Sequence, residues 1–274
     1  MNYYELKIFN SPALNDVLIA WLSEVGYDMF TEREGGLNAY ISEKLFDEES
    51  LREIISGFPD NHNIRFEKTF IQDQNWNQEW EKNFQPVFIA GKVHVRAPFH
   101  AAADAPMEII IEPKMSFGTG HHATTCLMME QMLEMKLSGS KILDMGSGSG
   151  ILAILAVKLG ASEVHAVDND DWAVANCKEN CKSNKVPGVI VAKGNSAYLN
   201  EKMFDVILAN INRNVILDDI QKYSTSLSKK GFLLVSGFLT EDRNQIKEAA
   251  EESGMKLLRE SEKNNWVSIL FTRQ

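Results

Sequence analysis

The chain has 274 residues, enough for one large domain or for a small domain followed by a medium one. Its 44% hydrophobic and 24% charged residues match an ordinary soluble protein, and no run of about 18 apolar residues offers a membrane span. The opening MNYYELKIFN lacks the features of a secretory signal, and three cysteines outside any CxxC fit a reducing, cytoplasmic setting. A net charge of −10 repels a phosphate backbone, so direct nucleic-acid binding is not expected, whereas a basic protein would be attracted.

In chain order, residues 4–9 alternate as a strand does, and Ser11-Pro12 opens a helix carrying Leu14, Val17, Leu18, Trp21 and Leu22 on one face up to Gly26. Residues 27–31 and 37–41 form a hairpin through Glu34-Gly35-Gly36. A helix over 47–56 and a strand over 64–71 complete β-α-β-β-α-β, the order of a small α+β ferredoxin-like sandwich over residues 1–70. Trp76, Trp80 and Phe84 then make an aromatic stripe on a linker helix within 71–85.

From residue 86 to 274 the texture is α/β. Short strands fit residues 87–90, 92–97 and 107–111. Further strands fit 141–143, 163–167, 189–192, 204–209, 232–236, 256–259 and 267–272, with helices in the intervals. Apolar strands such as VILAN and FLLVS predict a Rossmann-like, mostly parallel, doubly wound sheet covered on both faces. Only Ser261 to Trp266 separates the last two strands, too short a link for a crossover, so the last strand is expected antiparallel.

Three motifs carry chemistry. In DMGSGSG a strand ends in Asp144, glycines 146, 148 and 150 permit a tight turn, and a helix begins with free N–H groups. The next strand ends in Asp168, placed to accept ribose hydroxyls. The G-x-G-x-G spacing departs from the dinucleotide G-x-G-x-x-G, and an acid before the loop suits the amino group of S-adenosylmethionine better than a pyrophosphate. Upstream, FGTGHHATT leads a glycine-threonine loop into a helix that closes the cofactor pocket. Its adjacent histidines diverge and have no further ligands at metal spacing, so no metal centre is expected. Downstream, FDVILANIN ends a strand with Asn210 beside the methyl to be transferred, while Asn210 or Asn212 caps the following helix.

Together FGTGHHATT, DMGSGSGILAILAVKLGA and FDVILANI resemble the ribosomal protein L11 methyltransferase family, closely over residues 86–274. The resemblance implies a class I methyltransferase domain joined by a linker helix to an N-terminal substrate-recognition domain. It implies methyl transfer from S-adenosylmethionine to lysine side chains and the N-terminal α-amine of ribosomal protein L11. The cofactor-binding residues expected on this resemblance are Thr125, Gly146, Gly148, Asp168 and Asn210, with Asn210 also catalytic; apart from the resemblance, His121 and His122 are secondary candidates for carrying a proton. Ala123 and Ser147 stand where the family often has proline and cysteine. The sequence after Asn210 lacks the Asn-Pro-Pro-aromatic signature of nucleic-acid amine methyltransferases, favouring a protein acceptor over the alternatives of an RNA or DNA methyltransferase. A different protein acceptor is the other alternative. No long apolar seam suggests an oligomer, so a monomer is expected.

Overall fold

The computed structural model describes residues 2–11, 14–58, 64–71, 85–114 and 117–274, and the chain divides into two compact units, residues 1–84 and 85–274. The linker helix expected over 71–85 falls on residues 72–84, outside the described residues.

The first unit runs β1 (Tyr3–Phe9), α1 (Asn15–Glu24), β2 (Tyr27–Arg33), β3 (Gly36–Ser42), α2 (Glu48–Ser56) and β4 (Arg65–Ile71). The strands lie in the order β2-β3-β1-β4, every pair antiparallel, as the expected sandwich requires. Alternation turns Leu6, Ile8, Leu37, Ala39 and Ile41 to one face, where they bury against Leu18 and Leu22 of α1 and Leu51 of α2. Gly26 ends the first helical segment at φ +97°, a conformation that costs a side chain but not a glycine. Asp47 starts α2 by accepting the amides of Glu49 and Ser50 at 3.1 and 3.3 Å.

The second unit opens with a three-stranded sheet of β5 (Val87–Ile89), β6 (Val93–Arg96) and β7 (Met107–Ile110). Then follow α3 (Ala123–Met132), β8 (Lys141–Met145), α4 (Ile151–Lys158), β9 (Glu163–Asp168), α5 (Asp171–Ser183) and β10 (Ile190–Lys193). The chain ends with β11 (Phe204–Asn210), α6 (Arg213–Thr225), β12 (Leu227–Leu239), α7 (Arg243–Glu252), β13 (Met255–Lys263) and β14 (Trp266–Arg273). Seven of these strands form the sheet β10-β9-β8-β11-β12-β14-β13, parallel from β10 through β12 and antiparallel at β14. Period-two alternation splits its core in two. Ile142, Val164, Val206 and Leu208 pack with α3, α4 and α5, whereas Leu143, Val167, Ile207 and Leu233 pack with α6 and α7. Among the described residues no helix is long and apolar enough to cross a membrane.

Two boundaries differ from expectation. The segment from Ser261 to Trp266 is largely strand, and the turn shrinks to Asn264-Asn265, at φ +52° and +66°. Asparagine tolerates the left-handed region, so two such residues close a tight hairpin whose twist matches its strands. Strand β12 begins at Leu227, well before the expected 232, because polar Ser228-Lys229-Lys230-Gly231 carries no alternation to reveal it.

Candidate active site

All the motifs converge on the carboxyl edge of the seven-stranded sheet, around a cavity of about 1020 Å³. Its floor follows the strand order. Gly194 and Asn195 come from the end of β10, Asp168 from β9, Gly146 and Gly148 from the loop after β8, and Asn210 from β11. Gly237 comes from β12 and Trp266 from the start of β14.

The glycine loop owes its shape to positive φ at Gly146, Gly148 and Gly150 and to what lies against it. A Cβ on Gly148 would stand 2.5 Å from the Phe117 carbonyl oxygen, and one on Gly150 would stand 2.5 Å from Cys177 Sγ. The first contact shows that FGTG and the glycine motif build one structure. Ser149 N donates to Phe117 O at 2.9 Å, and Ser149 Oγ donates to Gly118 O at 2.6 Å. From beneath, the fully buried Asn180 of α5 donates to Ser149 O at 2.8 Å and accepts from Glu112 N at 2.9 Å, tying the loop to the chain beyond β7. Groups buried this deeply must be paired, so Asn180 is structural.

Asp168 lines the cavity and also braces the loop: one carboxylate oxygen accepts Gly148 N at 2.8 Å and the other accepts Asp170 N at 3.1 Å. Asn210 lines it too, with its Nδ2 donating to Thr125 Oγ1 at 3.4 Å and its buried Oδ1 without a partner among the described residues. Thr125 is completely buried and is not among the cavity-lining residues; Thr124 is, and Thr125 meets the site through Asn210. The capping role falls to Asn212, whose side chain accepts Val215 N at 3.2 Å and so leaves Asn210 to the cavity. His122, rather than a hydroxyl residue, caps α3, its Nδ1 accepting Thr124 N at 3.3 Å. His121 is not among the lining residues; its ring bridges Gln85 O at 2.7 Å and Thr119 Oγ1 at 3.2 Å.

The family model described as ribosomal protein L11 methyltransferase matches residues 19–274. The chain belongs to the ribosomal protein L11 methyltransferase family. Relatives of that description include one from Porphyromonas gingivalis, 46% identical over 94% of this chain and 90% of its own length. Another, from Phocaeicola vulgatus, is 42% identical over 99% of both chains. The crystal structure of a ribosomal protein L11 methylase from Lactobacillus delbrueckii subsp. bulgaricus superposes with a TM-score of 0.65 at 25% identity, covering 70% of this chain and all of that one.

Within this family frame Asp144 requires a correction. It was expected to face the cofactor's amino group, but its carboxyl is buried away from the cavity, where one oxygen accepts Ala153 N of α4 at 3.1 Å. Alternation is the reason: Asp144 shares the face of Ile142, the face that α4 covers. Its other oxygen has no partner among the described residues, and burial pushes its pKa up from 3.8 to about 7 against the opposing effect of the Ala153 amide. The folded form therefore holds a proton that the unfolded chain releases above pH 3.8, so stability falls as pH rises towards 7. Urea unfolding should show that, between pH 5 and 7, the native protein loses about 2 kcal/mol more stability than Asp144→Asn does. Parallel pH profiles for the two proteins would remove the carboxyl as the cause.

Sequence reasoning missed Trp172, Asn195 and Trp266 as cavity residues and singled out Phe117 only as part of the FGTG segment. Trp172, at the start of α5, is 81% exposed at the rim beside Asp170. A single exposed tryptophan at a helix start is ordinary, so nothing in the sequence marked it.

Proposed function

We propose that this chain transfers methyl groups from S-adenosylmethionine to amines of ribosomal protein L11, its lysine side chains and N-terminal α-amine. The observation that carries this reading is the line of groups along the sheet edge. Asp168 is an acceptor for ribose hydroxyls, Gly146 and Gly148 let the backbone approach the methionyl portion, and Asn210 lines the cavity where the methyl would lie. The residues present fit the cofactor: the cavity is large enough, its ribose acceptor is anionic, and the loop between Asp168 and Phe117 is already shaped. The family's name supplies the acceptor protein.

When bound, S-adenosylmethionine supplies a methyl group on a positively charged sulfur. The chain's own task is then alignment and exclusion of water. The Asn210 side-chain amide lines the cavity and can orient the acceptor amine, while Thr125 holds that amide through Nδ2. Thr125 is thus a positioning residue. A lysine amine, with an ordinary pKa of about 10.4, arrives protonated near neutral pH. Its proton must pass to solvent before the nitrogen can act as a nucleophile. His122 Nδ1 is engaged with Thr124 at the start of α3. The N-terminal domain, residues 1–70, serves substrate recognition, and the reaction takes place in the cytoplasm on a monomeric enzyme.

Labelled S-adenosylmethionine, the full-length protein and purified L11 make the test, with the label located by mass spectrometry. Label on L11 amines is the expected result. Label on ribosomal RNA or another protein, with none on L11, would overturn the acceptor assignment.

A further inference from the structure

The cavity has two ends, and strand order tells them apart. Asn195, Asp168 and Gly146 lie at or just past the ends of β10, β9 and β8, the side where, on the reading above, the adenosyl and methionyl portions would lie. Asn210, on β11, marks the methyl. On that reading the acceptor amine would enter from the remaining side, over β12 and β14, where Gly237 and Trp266 lie.

That side is aromatic. His122 packs edge-to-face on Trp266 with centroids 4.8 Å apart, and Phe117 packs edge-to-face on His122 at 5.1 Å. All three rings line the cavity, and Phe117 is half exposed although it sits in the middle of a docked loop. They come from two distant segments, the FGTG loop with its helix start and the hairpin that ends the sheet. The His122 ring is held in place through Nδ1, which accepts from the Thr124 amide at 3.3 Å.

Aromatic rings around the approach of an amine have a definite chemical preference. An unmethylated ammonium is small and strongly hydrated, and it asks for hydrogen-bond acceptors. Each methyl added removes an N–H and makes the cation larger and more weakly hydrated, which suits an aromatic face. Resting on the reading of this site as an amine methyltransferase, we propose that Trp266, supported by His122 and Phe117, holds the mono- and dimethylated acceptor amine and so determines how far methylation of one amine proceeds. Trp266 then acts on later transfers more than on the first, for which Asn210 supplies the hydrogen bond that an N–H needs.

The test compares native protein, Trp266→Leu and Trp266→Phe, each checked for cooperative melting. Peptides from the acceptor protein carrying an unmethylated or a dimethylated lysine are titrated into enzyme loaded with S-adenosylhomocysteine. Their kcat/KM values are then measured with S-adenosylmethionine. Trp266→Leu should weaken binding of the dimethylated peptide at least tenfold, that of the unmethylated peptide less than threefold, and S-adenosylhomocysteine not at all. Its products should stop at the monomethyl stage, and Trp266→Phe should restore most of the difference. Equal losses for both peptides, or none, would overturn the assignment. Failure of the native enzyme to methylate either peptide would instead count against the acceptor reading, while the binding titrations would still decide the role of the rings.

Discussion

Replacing Asp168 with alanine should weaken S-adenosylmethionine binding about 10- to 100-fold in a calorimetric titration. Two losses combine. The ribose would lose a charged acceptor, worth about 1–3 kcal/mol, and each 1.4 kcal/mol is about tenfold in affinity. The amide of Gly148, held at 2.8 Å by the same carboxylate, would lose its partner, and so would that of Asp170 at 3.1 Å. Asp168→Asn keeps one acceptor oxygen without the charge and should fall between the two. Native affinity in the alanine variant would remove Asp168 from the ribose role.

The second large effect is expected at Gly237, which no motif marks. It sits at φ +101° where the pairing of β12 with β14 shifts register between Ser236 and Phe238. A Cβ there would stand 2.1 Å from Ile211 O and 2.7 Å from Ile211 C. Both are backbone atoms with no rotamer to retreat into. Ile211 in turn hangs from Ser236 O by its own amide at 3.2 Å and follows Asn210 directly. Gly237→Ala should therefore destabilise the protein by about 3 kcal/mol or more, combining a left-handed side chain with a displaced strand end. The displacement should reach Asn210, lowering kcat by more than tenfold while cofactor affinity changes less. A melting temperature within about 2 °C of the native value would refute the clash.

Most of the architecture was legible because the strands announce themselves. VILAN and FLLVS are apolar on both faces, the glycine loop marks the central strand, and alternating elements leave few ways to wind the sheet. The site was legible in part, and the gaps have physical causes. Asp144 lies beside the loop in sequence, but only the face covered by α4 tells that its carboxyl turns inward. Neighbouring residues on a helix point about 100° apart, so Thr124-Thr125 advertises two hydroxyls without saying which one the cavity sees. Trp266 falls in a segment that read as a loop because Asn264-Asn265 looked like part of a longer break. It meets His122 only because β14 inserts between β12 and β13, a pairing that no local pattern encodes.

The docking of Phe117 and Gly118 onto Ser149, with Asn180 fastening the same turn from below, bears on how portable the glycine motif is. A fragment beginning at Lys141 would carry DMGSGSG and both strand-end acids intact, yet it would lack the carbonyls that receive Ser149. Its turn would be free to sample many shapes, and a ligand would have to order it at a cost in affinity. The transplantable unit is longer than the signature that identifies it: it starts upstream of Phe117 and includes the helix that bears Asn180.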